Sequence, residues 1–376
     1  MPAERTTPTP RVMGRMRLAS QGLLGSGFTT VSDAVRWMTA MQAQDLGSAL
    51  WAVGQRVPGT VASDIRAALD AGTVVRSWPM RGTLHLVAPE DLRWILGITS
   101  DRLMNSLAAR HRELGITPDD ISHCRDIAFK TTEVLKAGGA PGATREQLFQ
   151  AFEEAGQLTK AQRGIHLLGS LCQRAWLVQG PMAGTNGKVG VQQLFVPFDE
   201  WIPESRELGR EDGIAELLFR YFQSHGPATI KDFSWWSQVP LTEARKALNE
   251  VQGRLVELQF GGTSYWLSPE TAEMLDDGVP GSRSFLALPG FDEFLLGYQD
   301  RDLVLAPEHA ELVVPGRNGV FKRIMVSGGE VVGTWARTVS GKTIGVVPEP
   351  FTGPLGPAAE RSFQAQGRAY LKFMAG

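Results

Sequence analysis

The chain has 376 residues, 43% of them hydrophobic and 21% charged, with a formal net charge of −2. This balance belongs to a folded protein of two or three domains, or of several small modules sharing one shell, and it excludes a low-complexity chain. No overall basic field favours nucleic acid, and no apolar run of about 18 residues predicts a membrane span.

Two cysteines far apart, Cys124 and Cys172, read as reduced thiols of a cytoplasmic protein and not as a disulfide framework or metal knuckle. Of the 38 basic residues 29 are arginine, which favours bidentate phosphate contacts over point charges. They gather at Arg11–Arg17, Arg76–Arg81, Arg102–Arg112 and Arg317–Arg323, a pattern compatible with one basic face or with salt-bridged helix surfaces.

In chain order, the Thr- and Pro-rich first ten residues read as a disordered lead-in, followed by a short basic helix over Arg11–Gln21 and a turn over Gly22–Gly27. Val31, Val35, Trp37, Met38 and Met41 then form an apolar stripe at helical spacing, with Ser32 or Asp33 as cap and Gly47 as stop. This helix runs into Met41-Gln42-Ala43-Gln44-Asp45. Residues i and i+2 of a helix point about 200° apart, whereas in extended chain they share a side. Gln42 and Gln44 therefore serve one site only if the helix unwinds by about Met41.

A helix over Asp64–Ala71, capped by Ser63, and strands over Thr73–Trp78 and Gly82–Val87 complete a three-helix-plus-hairpin unit, the winged-helix arrangement. Helices follow from Pro89 to about Arg112 and from Pro118 to Gly138-Gly139. A second cycle comprises helices Arg145–Ala155 and Lys160–Arg174 and strands Trp176–Gln179 and Val189–Val196, joined across Asn186-Gly187. A third comprises Arg210–His225, Ile230–Gln238, Thr242–Gln252 and a wing of Arg254–Phe260 with Thr263–Leu267.

After Pro269 the pattern turns to β: Phe285–Leu288, Leu303–Leu305, Leu312–Val314, Val320–Val326, Val331–Arg337 and Thr343–Val347, closed by a helix over Ala358–Met374. The fold class is thus α+β: three tandem winged-helix modules, then a small antiparallel β-barrel and a C-terminal helix. The expected segments are 11–88, a helical connector 89–139, 140–200, 208–268 and 284–376.

The six histidines have no metal-ligand spacing, and no phosphate loop or nucleophile elbow occurs around Gly22–Gly27, Ser77 or Ser170. No metal or cofactor is expected. What remains is a neutral amide pair. An amide can hold and orient water but is a poor proton acceptor. It suffices where the leaving group already leaves well, as an N7- or N3-alkylated purine does: the base is cationic and departs neutral. The enzyme then needs only to stabilise an oxocarbenium-like sugar and place a water. Asp45 reads either as added negative charge or, more simply, as a turn acid.

The stretch Met41–Asp45 also resembles the Gln-Φ-Gln catalytic motif of the AlkZ-type winged-helix DNA glycosylases. Ser77-Trp78-Pro79-Met80-Arg81-Gly82-Thr83-Leu84-His85 is similar to that family's Arg-Gly-Thr-x-His run. Leu288–Glu293, Leu296–Arg301, Val314–Phe321 and Gly333-Thr334-Trp335 extend the likeness over about residues 11–375. The resemblance implies a C-shaped array holding duplex DNA, with Gln42 and Gln44 catalytic and a barrel hairpin, here Pro315–Phe321, probing the groove. Gln44, where relatives of the YcaQ branch carry Asp, implies the branch tied to self-protection against alkylating natural products, with bulky N7-guanine adducts and interstrand crosslinks as substrates.

Arg81 and His85 are expected to support the site from the first wing, and Arg317, Asn318, Lys322 and Arg323 to meet DNA from the hairpin. The partner is double-stranded DNA bearing alkylated purines, met by a monomer with no membrane association. No lysine stands near the motif, so no Schiff-base lyase step is expected. The competing reading is a non-catalytic winged-helix DNA-binding or regulatory protein, which would bind DNA but release no base.

Overall fold

The computed structural model describes residues 8–25, 27–184, 192–317, 319–340 and 343–376. They form two compact units, Arg66–Gly213 and the remainder, Met1–Ile65 with Ile214–Gly376. The first of these borders falls inside the expected segment 11–88.

In the larger unit the helix Pro10–Ser20 is capped by Thr9, whose hydroxyl accepts from the Val12 amide. The helix Val31–Met38 is capped by Thr30, two residues before Ser32 and three before Asp33, the expected caps, because the Thr30 hydroxyl reaches the Asp33 amide. It ends at Met38: Thr39 has φ 65°, a left-handed backbone that a β-branched residue rarely takes, and Ala40–Gln42 is extended. The unwinding that a shared site for the two glutamines requires is therefore present, two residues earlier than its limit.

Gly47 does not stop a helix; it lies inside a new one, Leu46–Arg56. The two glycines of that segment, Gly47 and Gly54, dilute its helical propensity and hide it from a periodicity reading. Packing compensates. The Trp51 ring lies 5.5 Å from Tyr370 and 5.1 Å from Phe373 of the closing helix Pro357–Ala375, and its indole donates to the Ala287 carbonyl at 2.9 Å.

Helices Arg210–His225, Ile230–Ser237 and Leu241–Val251 precede an antiparallel pair, Val256–Phe260 and Thr263–Leu267. Thr229 and Asp232 form a reciprocal capping box at the middle helix. A further helix, Pro269–Asp277, begins where only strands were expected; Ser268 caps it and Pro269 occupies its first turn.

The expected barrel is an open sheet among the described residues. Its order is Thr343–Pro350, Glu330–Ser340, Ile324–Ser327, Phe285–Leu288, all antiparallel. Two segments expected as strands are not strands. At Leu303–Leu305 the chain turns, with the Val304 and Leu305 amides both donating to Arg301 O. Leu312–Val314 enters a helical turn, Ala310–Val313, set up by Pro307 and built from helix-forming Ala310, Glu311 and Leu312. Phe294, Leu296, Val304, Val313 and Ile324 make one core beneath the sheet.

In the unit Arg66–Gly213, Val75–Met80 pairs with Thr83–Val87 on one side and with Leu177–Met182 on the other, and Gln193–Pro197 completes the run. Helices Pro89–Glu113, Pro118–Ala137, Arg145–Glu154 and Arg163–Gln173 flank it, with capping boxes at Thr117 and Thr144. The helix expected from Lys160 starts at Arg163 because Ala161 and Gln162 have positive φ, 53° and 75°. Asn186-Gly187 and the start of the expected strand at Val189 lie outside the described residues. Cys124 and Cys172 are free and buried, as expected. No helix among the described residues is long and apolar enough to cross a membrane.

Candidate functional site

Gln42 ends the strand Ala40–Gln42 and is 8% exposed, whereas Gln44 stands exposed in the bend that follows. Fully buried Ala43 pins the chain between them. The backbone amide of Gln42 donates to Glu293 Oε1 at 3.0 Å. Its side-chain oxygen is buried and has no hydrogen-bond partner among the described residues. A buried acceptor without a partner costs roughly 1–3 kcal/mol, a cost that a hydrogen-bond donor reaching this oxygen would relieve.

Asp45 has a structural task. Its Oδ1 accepts the Ser48 amide at 3.1 Å, making it the N-cap of Leu46–Arg56. The glutamine stretch is thus a short non-helical passage between two helices, held by Thr39 at one end and Asp45 at the other.

Beneath it lies a buried polar network that the sequence reading did not include among site residues. Arg56 and Asp292, both essentially unexposed, are joined twice at 3.0 Å. Arg56 also donates to the Gln21 carbonyl and side-chain oxygens at 3.0 and 2.9 Å. Gln21 donates to the Tyr298 hydroxyl at 3.0 Å, and that hydroxyl donates to the His225 carbonyl at 2.7 Å. Burial pushes the Tyr298 phenol well above its usual range, so it stays a neutral donor. The signal was Asp292-Glu293 set between Phe291 and an apolar Phe294-Leu295-Leu296: two acids in a run that must be buried.

Arg81 and His85 lie in the other unit. Arg81 and Gly82 have φ of 55° and 69° and join Met80 to Thr83 across a two-residue hairpin turn. His85 is fully buried; its Nδ1 donates to the Thr83 carbonyl at 2.9 Å, which leaves Nε2 to accept from Arg81 at 3.0 Å. These bonds call for the neutral Nδ1–H tautomer, so His85 orients Arg81 within the hairpin.

Among the described residues Pro315–Phe321 is not a β-hairpin: the helical turn Ala310–Val313, and not a strand, leads into it. It is a loop that opens with a 3-10 turn, Pro315–Arg317, and is closed at its base by the Lys322 amide on Val313 O at 3.0 Å. Lys322 is exposed; Arg323 is half-buried, its guanidinium 5.5 Å from the Trp335 ring centre. Arg317 ends the 3-10 turn, and Asn318 lies outside the described residues. A long antiparallel pair of this sheet is Glu330–Ser340 with Thr343–Pro350, which exposes Val339 and Ile344 as partners near its end.

The basic clusters read from sequence do not all reach solvent. Arg17 is fully buried, donating to Pro227 O and lying 3.7 Å over the Tyr298 ring, and Arg76 is buried beside Gln179 and Gln193. Arg11 pairs with Glu330 at 2.6 Å.

Among the described residues no group of three or more potential ligands could hold a metal. A family model described as DNA glycosylase AlkZ-like matches residues 35–373. An interstrand DNA cross-link repair glycosylase of Streptomyces sahachiroi is 26% identical over 316 residues, 81% of this chain and 82% of that protein. The solved Streptomyces sahachiroi DNA glycosylase AlkZ shares the fold, with a TM-score of 0.79 at 23% identity over 99% of this chain and 98% of that one. With the family model spanning nearly its whole length, the chain belongs to the AlkZ-like DNA glycosylase family.

Proposed function

We propose that the protein is a monofunctional DNA glycosylase that hydrolyses the N-glycosidic bond of bulky alkylated purines, N7-alkylguanine adducts and interstrand crosslinks among them, in self-resistance to a genotoxic natural product. The observation that carries this reading is the buried, unpartnered side-chain oxygen of Gln42, two residues from exposed Gln44 in a passage held out of helix. Membership of a DNA glycosylase family and likeness to an interstrand DNA cross-link repair glycosylase of Streptomyces sahachiroi support it.

In this reading Gln42 and Gln44 hold a water on the face of the deoxyribose opposite the departing base. The alkylated base carries positive charge and leaves neutral, so no general acid is required. As the bond stretches, charge moves to the sugar, and the aligned amide oxygens stabilise it. The water gives its proton to solvent, and an abasic site remains. No lysine is engaged, so the strand is left uncut.

Three winged-helix modules, 11–88, 140–200 and 208–268, carry the DNA in this account, and the chain acts as a monomer. Arg81 meets phosphate from the first wing, held by His85. Arg317, Asn318, Lys322 and Arg323 meet the DNA groove, and the segment Pro315–Phe321 serves as the probing element that the family resemblance implies. Incubation with duplex carrying N7-alkylguanine, followed by chromatography, tests the reading: free alkylated base is expected, and DNA binding without release would replace the glycosylase with a regulator.

A further inference from the structure

The carboxylate of Glu293 is 1% exposed, and each of its two oxygens accepts a hydrogen bond from a buried donor. Oε1 accepts the Gln42 backbone amide at 3.0 Å, and Oε2 accepts the Trp236 indole at 3.0 Å. His225 Nε2 stands 3.6 Å from Oε2. His225 is itself fixed, stacked 4.7 Å from Tyr221 and joined to Ser224 Oγ at 2.9 Å. Gly297 admits this arrangement: a Cβ there would lie 2.6 Å from Glu293 O and 2.7 Å from the His225 ring.

A buried carboxylate is costly, and the fold would be served equally well by an apolar side chain at this place unless its two acceptors matter. Charge-assisted bonds are about twice as strong as neutral ones and fix direction as well as distance. Glu293 follows Asp292, which is held by Arg56, so the short helix Glu293–Leu296 cannot slide. The effect is to clamp one main-chain atom of the glutamine passage to the most rigid part of the core.

We propose that Glu293 is a positioning residue for excision: it holds the main chain of Gln42 so that the unpartnered amide oxygen is aimed at the attacking water. This inference rests on the catalytic reading of Gln42. Misplacement of a reacting group by about 1 Å costs on the order of 10²-fold in rate. Glutamine at 293 has the same shape but replaces one acceptor with a donor, which must then face either the Gln42 amide or the Trp236 indole. Aspartate keeps the charge and both acceptors but falls one methylene short.

The test is single-turnover excision at saturating enzyme on a duplex with one N7-methylguanine, run for wild type, Q42A, E293Q, E293D and W236F. Binding of undamaged duplex and the ¹H–¹⁵N resonance of the Gln42 amide are read alongside. E293Q should lose on the order of 10²-fold in rate while duplex binding stays within about twofold, with E293D between it and wild type. The Gln42 amide proton should move upfield in E293Q, as expected when a charge-assisted bond is lost; the fall in rate at unchanged duplex binding is what a merely structural role would not produce.

Q42A distinguishes the two claims. Wild-type excision by Q42A removes the catalytic reading and this inference with it. Loss in Q42A with E293Q inside about twofold of wild type overturns the positioning role alone. Should E293Q not fold, W236F carries the test: removing the indole donor should slow excision and shift the Gln42 amide, and no change in either would overturn the role.

Discussion

Arg56 and Asp292, 236 positions apart in sequence, are joined by two 3.0 Å hydrogen bonds with almost no exposure to solvent. The pair links the end of the helix that follows the glutamine passage to the turn that supports it. Asp292 Oδ1 also accepts the Phe294 amide at 2.9 Å, so the same carboxylate caps the short helix bearing Glu293. Removing one partner leaves a buried charge uncompensated, so D292A should lower unfolding stability by about 3–5 kcal/mol. Urea denaturation checks this; a midpoint equal to wild type would mean that water or a neighbour takes over the missing bonds.

How far the sequence discloses this arrangement depends on the range of the causes. Caps are local: Thr144 and Thr229 each stand three residues before the Gln147 or Asp232 that completes their capping box, a spacing visible in the chain. A non-helical setting of Gln42 and Gln44 was the condition for their sharing one site, since i and i+2 diverge on a helix, and the break at Thr39 meets that condition. Leu46–Arg56 was hidden because its stability comes from Trp51 packing on Tyr370 and Phe373, more than 300 residues away. The barrel expectation arises because Leu303–Leu305 and Leu312–Val314 have strand-like composition, while the Val304, Leu305 and Val314 amides are satisfied in turns. Glu293 and Asp292 stood inside a family-like stretch, but nothing local says that their partners are Gln42 and Arg56.

Arg81 tests the wing. Oriented by His85 at a turn of positive φ, it should contribute a phosphate contact common to damaged and undamaged DNA. R81A is therefore expected to weaken both by a similar factor, measured by fluorescence anisotropy. A loss confined to damaged duplex would assign Arg81 to the lesion and not to the backbone.

The loop 315–321 and the two residues between it and the strand Ile324–Ser327 bear Arg317, Lys322 and Arg323. Neutralising all three should flatten the dependence of log Kd on log salt by up to about three phosphate contacts, since fewer counterions are released. Excision at saturating enzyme should change far less than in Q42A. An unaltered salt slope would show that these charges do not meet DNA.

In the unit Arg66–Gly213, the rings of His111 and His166 meet edge to face at 5.3 Å. Burial, then the neighbouring His166 and Arg174, pushes His111 below its usual value of 6.5; burial, then Arg110, does the same to His166. The unfolded chain therefore takes up these protons first. The stability they permit is complete above about pH 6.5 and declines as pH falls through that value, levelling off below the folded-state pKa. Thermal unfolding between about pH 7 and pH 5 should show this slope, and H111Q/H166Q should flatten it. An equal slope in the double variant would place its origin elsewhere.

The central claim is that the glutamine pair performs base release and is not a DNA contact alone. Chromatographic quantification of free N7-methylguanine from modified duplex, with wild type, Q42A and Q44A at saturating enzyme, measures it most directly. Wild type should release the base. Each alanine variant should bind the duplex with unchanged affinity and release it at least about 10²-fold more slowly, with Q44D retaining part of the activity because a carboxylate still orients water. Alanine variants that release base at the wild-type rate would contradict the account.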